Sequence, residues 1–183
     1  MQSFASIADV KAIEAEADWP DRDLPGSMYA FLTSARDRHG SRPAVSFQLQ
    51  SGAGDRSETL TWSDLHGRVT QAANMFRELG VGEGDVIAYV LPNCLETVET
   101  MLGGMVAGVV NPINPMLEPE QIGAILRETG AKVVVTLKAF PKTDVPQKVA
   151  EAVRHAPNVK TVLEVDLNRY LDWPKRWIVP RSI

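Results

Sequence analysis

Apolar residues along this chain recur at two spacings, and the alternation between them predicts its elements. Met28, Phe31, Leu32 and Ala35 fall three and four apart, which lines one face of a helix. Ser27 precedes them as a cap and Gly40 follows, so a helix is expected to about Arg38. Residues 44–48 then alternate, residues 51–55 (SGAGD) are turn material, and residues 59–61 complete a candidate hairpin. From Leu60 onward the punctuation is regular. Ser63 is expected to cap a helix with Leu65, Val69, Ala72, Ala73, Phe76 and Leu79 inward, closed by Gly80. The short apolar run 86–90 (VIAYV) reads as a strand buried on both faces. Asn93, as a cap, opens a helix through Ala107 with Leu95, Val98, Met101, Leu102, Met105 and Val106 inward and Gly108 at its end. Val109 and Val110 begin a second strand, broken by Pro112. Pro119, at a first-turn position, starts a helix carrying Ile122, Ile125 and Leu126 and stopped by Gly130. Residues 132–136 (KVVVT) are a third strand, Asp144 and Pro146 open a helix with Val149, Ala152 and Val153 inward, and residues 159–163 are a fourth strand.

Four strands separated by helices make three consecutive βαβ units. Right-handed crossovers then give an α/β fold, a parallel sheet with helices on both faces, preceded by a short hairpin. Residues 1–26 read as an N-terminal extension with a short helix over 10–17 capped by Asp9. Residues 27–163 form the α/β subdomain. Residues 164–183 break the rhythm and read as the start of a further segment. The last seven, WIVPRSI, carry neither a cap nor a completed element, so the expectation is an incomplete N-terminal subdomain of a larger enzyme.

Composition narrows the class. With 19 Lys plus Arg against 23 Asp plus Glu, the net charge of −4 argues against a nucleic-acid-coating protein. The 44% of apolar residues suffices for a core. The one cysteine, Cys94, cannot form an internal disulfide. The amino-terminal stretch lacks the basic flank of a signal peptide, and no apolar run approaches the ~18 residues that span a bilayer. A cytoplasmic setting is expected.

Ligands of open parallel sheets gather beyond the carboxyl ends of the strands, here the loops 91–93, 111–115 (NPINP), 137–142 (LKAFPK) and the stretch after Leu163. None places a nucleophile beside a base. Each proline of NPINP pushes its predecessor out of the helical region and fixes an extended loop. Gly80, Gly82 and Gly84 precede a strand, whereas a dinucleotide fingerprint comes after one, so they are a helix stop and turn. Gly103 and Gly104, inside a helical pattern, are expected to permit close packing. His39, His66 and His155 are far apart and are expected to be exposed on polar faces, and no zinc-type spacing joins them to Cys94. Cys94 starts a helix, which can lower a thiol pKa. Asp85 lies at the amino end of its strand.

At residues 60–65 (LTWSDL) and 105–115 (MVAGVVNPINP) the sequence resembles the adenylate-forming superfamily, specifically acyl-CoA synthetases. Between them, residues 73–93 (ANMFRELGVGEGDVIAYVLPN) are similar to that family's helix, turn and first buried strand, and residues 121–136 to its next helix and strand. The resemblance covers about residues 27–163. It implies an enzyme that activates a carboxylic acid with ATP to an acyl-adenylate, releasing pyrophosphate, and then passes the acyl group to the thiol of coenzyme A. ATP, Mg and CoA are therefore implied for the full-length family, with none expected to bind tightly to this piece. The family's Lys-ending Gly-rich loop, Tyr-x-x-Thr-Glu segment, ribose-binding Asp and catalytic Lys are absent from these residues. No catalytic or metal-binding residue is assigned, and the chain is expected to be inactive alone.

The resemblance implies one binding feature. In some relatives, basic side chains after the strand matching 133–136 approach the coenzyme A phosphates, and Lys138 and Lys142 occupy that loop. The substrate is expected to be a carboxylic acid, with fatty, aromatic and short acids not distinguished by these residues. The piece is expected to lack nucleic-acid partners and to self-associate through uncovered apolar surface. A free-standing doubly wound α/β binding or interaction module without catalysis is the alternative.

Overall fold

The structure, a computed structural model, describes residues 5–52 and 55–171. Its centre is a parallel sheet of β3 (Val86–Val90), β4 (Val109–Pro112), β5 (Val133–Leu137) and β6 (Thr161–Val165), in the spatial order β4-β3-β5-β6. The connecting helices are α4 (Leu95–Ala107), α5 (Pro119–Glu128) and α6 (Val145–Arg154). An antiparallel hairpin of β1 (Pro43–Gln48) and β2 (Ser57–Thr61) precedes the sheet. This is the α/β architecture expected from the apolar pattern, hairpin included. Helices α1 (Ile7–Glu14), α2 (Met28–His39) and α3 (Trp62–Glu78) complete the elements described. Among the described residues no helix is long and apolar enough to cross a membrane.

The strand order fixes the layers. The chain steps from β3 outward to β4, then back across β3 to β5 and on to β6. With right-handed crossovers these opposite steps put α4 on one face and α5 and α6 on the other. The packing agrees: α4 lies against α3, and α5 against α6. All five β5 residues are buried, as are four of five in β3, which is why both read as unbroken apolar runs.

Two glycines bring α4 into this position. A methyl group on Gly103 would lie 2.6 Å from Ala72 Cβ, and one on Gly104 would lie 2.5 Å from Val110 Cγ2. The expected close packing of this pair is therefore observed, with α3 on one side and the sheet on the other. Gly80, at φ +79°, ends α3 in the left-handed conformation that glycine adopts without steric cost. Asp85 sits at the amino end of the sheet, where its Oδ2 accepts from Gly82 N at 2.7 Å and from Lys132 Nζ at 2.9 Å.

Several local expectations are corrected. Ser6 rather than Asp9 caps α1, and Asp9 is the reciprocal partner of its capping box. Thr61 rather than Ser63 caps α3, closing a box with Asp64. Cys94 stands at the cap position of α4 and Asn93 is exposed. Met101 and Met105 of α4 and Phe31 of α2 point outward, and β6 begins two residues later than its pattern suggests. His66 is buried at 8% exposure.

Replacing Gly103 by alanine should cost about 1–3 kcal/mol, the usual penalty of an added methyl in a filled contact. Gly67→Ala on the open face of α3, where nothing lies within 4 Å, should instead stabilise by up to ~1 kcal/mol through helix propensity. Urea unfolding at constant m-value measures both. A Gly103→Ala protein as stable as the parent would refute the α3–α4 contact.

Candidate functional site

The loops beyond the carboxyl ends of the strands form one rim. The loop after β3 leads to α4 on one face and the loop after β5 leads to α6 on the other. The gap between β3 and β5 is thus the switch point of the sheet, where ligands of such folds enter.

At that point stands Cys94, 4% exposed, with its sulfur 3.1 Å from Thr97 Oγ1. Thr97 Oγ1 in turn donates to Pro92 O at 2.6 Å. Burial pushes the Cys94 thiol up and outweighs its hydrogen bonds to Thr97, so this side chain holds the turn into α4 and is not an activated nucleophile.

Beside it lies a group of charges drawn from four elements. Arg68 of α3 donates to Glu99 Oε1 at 2.9 Å and to Glu58 Oε1 at 3.1 Å. Arg169, in the 3₁₀ turn Leu167–Tyr170 after β6, donates to Glu96 Oε1 at 2.5 Å and to Glu58 Oε1 at 3.2 Å. The Tyr170 hydroxyl accepts from Arg169 Nη2 at 2.9 Å and donates to Glu96 Oε2 at 2.7 Å. Its ring packs edge-on against Phe47 of β1, with centroids 4.8 Å apart. Burial and the Glu96 carboxylate together push the Tyr170 hydroxyl above its ordinary value. Burial alone would lower the Arg169 guanidinium, but its hydrogen bond to Tyr170 and the carboxylates of Glu96 and Glu58 reverse that. Each of the three carboxylates is thus bonded to a guanidinium, and the five charges together leave one net negative charge. The arrangement fastens the hairpin, α3, α4 and the chain after β6 together.

A groove of about 570 Å³ runs from this group along the uncovered part of the sheet. Val135, Leu163 and Val165 form its floor, and Ala72, Met75 and Phe76 of α3 are among its walls.

Lys138 and Lys142 stand where the sequence placed them, in the loop after β5. Lys138 donates its amide to Val165 O at 2.9 Å, and its 57%-exposed side chain lies 3.5 Å from Asp166 Oδ2. Burial pushes the Asp166 carboxyl up, but hydrogen bonds from Asn168 and the nearby Lys138 outweigh it and leave it below its ordinary value. Lys142 is exposed, and it is the one non-glycine residue in the left-handed region among those described, at φ 62°. Sequence reasoning misses Arg169, Tyr170, Glu96, Glu58, Arg68 and Glu99. Arg169 and its two carboxylate partners lie 73 and 111 positions apart, a separation that no local motif spans.

Residues 32–180 match the family model described as "AMP-binding enzyme". The acetyl-coenzyme A synthetase of Sodalis glossinidius (strain morsitans) is 32% identical over 154 residues, 76% of this chain and 23% of that protein. The long-chain-fatty-acid–CoA ligase of Bacillus subtilis (strain 168) is 27% identical over 156 residues, 84% of this chain and 25% of that protein. The chain thus spans about a quarter of the length of these curated relatives. Among solved structures, a long-chain-fatty-acid–CoA ligase (FadD1) from Archaeoglobus fulgidus superimposes with a TM-score of 0.66 at 19% identity, over 78% of this chain and 28% of that one.

Arg169→Met should destabilise by about 1–3 kcal/mol, between the values for exposed and buried ion pairs, because it leaves Glu96 with the Tyr170 hydroxyl alone and Glu58 with Arg68 alone. Tyr170→Phe keeps the ring against Phe47 and loses a hydrogen bond, so about 1 kcal/mol is expected. The double variant should cost less than the sum, since both groups end on Glu96. Additive losses in denaturant unfolding would show that the two act separately.

Proposed function

The chain belongs to the AMP-binding enzyme family, and on that premise we propose that it is the amino-terminal part of an ATP-dependent acid–CoA ligase. The family match over residues 32–180 carries this reading. The relatives named acetyl-coenzyme A synthetase and long-chain-fatty-acid–CoA ligase support it. In this reading residues 27–163 are the first α/β subdomain, residues 1–26 an extension before it and residues 164–183 the beginning of the next segment. The whole enzyme forms an acyl-adenylate and pyrophosphate from a carboxylic acid and MgATP. It then forms the thioester with coenzyme A and releases AMP. It works in the cytoplasm, a setting that suits its free cysteine.

This chain's part in the reaction is a scaffold and one contact. Among the described residues the carboxylates beside the switch point are each bonded to a guanidinium, which supports the reading that the reacting groups belong to the rest of the whole enzyme and that the chain alone is inactive. Exposed Met101, Met105 and Val109 beside the edge strand β4 favour its self-association in isolation. Lys138 and Lys142 meet the coenzyme A phosphates as point charges. The exposure of both on one rim loop supports that role, and the Asp166 pairing of Lys138, at 3.5 Å and open to solvent, is weak enough to exchange for a phosphate.

The isolated 183-residue chain should give no acid-dependent ATP–pyrophosphate exchange, and exchange by it would overturn the scaffold reading. In the whole enzyme, Lys138→Ala with Lys142→Ala should raise the KM for coenzyme A severalfold and leave acid-dependent exchange unchanged. An unaltered KM would remove the phosphate contact.

A further inference from the structure

Helix α2 is held to α3 through a buried imidazole. His66 Nε2 lies 3.1 Å from Thr33 Oγ1 of α2. The ring of Tyr29, one turn earlier on α2, packs against the imidazole with centroids 5.1 Å apart and planes tilted by 40°. The same Tyr29 hydroxyl lies 3.4 Å from Thr70 Oγ1, which donates to the His66 carbonyl at 2.8 Å. Leu32 and Ala35, the buried residues of α2, continue the same face. The side-chain hydrogen bonds between the two helices therefore sit at His66 and Thr70, one turn apart, while the far end of α2 is tied by its cap, where Ser63 N–H donates to Gly40 O at 3.0 Å.

The environment of the ring sets the sign of its response. Burial disfavours the imidazolium, and Arg36 on α2 adds to that effect. Asp37, also on α2, opposes it, but this carboxylate is bound by the Arg36 guanidinium at 2.9 and 2.7 Å. The Tyr29 phenol ring also faces the imidazole. The outcome is a His66 pKa below the ordinary imidazole value.

We infer that His66 is a pH-sensitive clasp, neutral when α2 is docked and protonated when α2 is released. Above the ordinary imidazole value the ring is neutral in both states and the clasp is complete. As pH falls through that value, the released state binds the proton first, so docking weakens until the docked ring titrates as well. Release of α2 removes one wall, with Met28 and Tyr29, from a cleft of about 460 Å³ whose other side includes Ala73, Asn74 and Arg77 of α3 and Met105 of α4. Acidification thus opens a new face on the α3–α4 layer while leaving α5 and α6 in place.

Amide hydrogen exchange on the chain, corrected for the intrinsic pH dependence, tests this between pH 7.5 and 5. Exchange within α2 should accelerate severalfold on acidification, while that of α5 and α6 stays constant. His66→Gln, neutral throughout and able to bond Thr33, should abolish the pH dependence. His39→Gln, which removes the imidazole that α2 itself carries, should preserve it. An NMR titration of His66 in the parent chain provides a reading that does not depend on variant folding. A His66 pKa at or above the ordinary value, α2 protection constant with pH, or the same pH dependence in His66→Gln would each overturn the clasp.

Discussion

The close approach of α4 to its two neighbours is the constraint on which the rest of the structure hangs. Gly103 and Gly104 are adjacent, so they face different directions around the helix, one toward Ala72 of α3 and the other toward Val110 and Ile87 of the sheet. Side chains at both positions would force α4 away from both layers at once. Gly108 continues the effect, since a methyl group there would lie 2.6 Å from Asp85 O. Its extended backbone lets Val109 N–H reach the same oxygen at 2.9 Å and start β4 in register beside β3. A helix seated this deeply directs its first turns at the rim. Glu96 and Glu99, three positions apart on one helical face, arrive where Arg68 and Arg169 can meet them.

That meeting solves a problem posed by the hairpin. Two strands joined only to each other are marginal in water, and β1 and β2 share no hydrogen bonds with the main sheet. They are fastened by Glu58, shared between Arg68 and Arg169, and by Phe47 against the Tyr170 ring. The side chains of Glu58, Glu96 and Glu99 keep about a fifth of their exposure, enough to limit the desolvation cost that makes fully buried ion pairs poor stabilisers. The hairpin is therefore attached by direction-dependent bonds, which fix its orientation in a way that an apolar contact of equal area would not.

Legibility in the sequence tracks the range of the forces involved. The bounds of β3 are legible from VIAYV alone, because a strand covered on both faces must be apolar throughout, and the glycines after α2, α3, α4 and α5 mark the ends of those helices. The apolar pattern misassigns Met101 and Met105 of α4 because this helix lies partly beyond the edge strand, where one side of its apolar stripe has nothing to cover. It misplaces the start of β6 because burial there alternates and a half-covered strand has no sharp apolar limit. It puts His66 outside because periodicity ranks residues by polarity and cannot see Tyr29 and Thr33 arriving from another helix. The charged group at the rim lies outside any local pattern, as its members come together only after the sheet has closed.

The rim consequently divides into two kinds of polar residue. Those on the α4 side are bound to one another and hold elements together. Those after β5 are differently placed. Lys138 is majority-exposed with a single carboxylate at 3.5 Å, and Lys142 is kept in a left-handed conformation that costs an ordinary L-residue about 1–2 kcal/mol. Backbone in that region is uncommon outside glycine and clusters at functional sites, which suits the role we propose for this loop. The same physical distinction, between charges already paired and charges presented to solvent, separates the residues that build this subdomain from those through which we propose it meets coenzyme A.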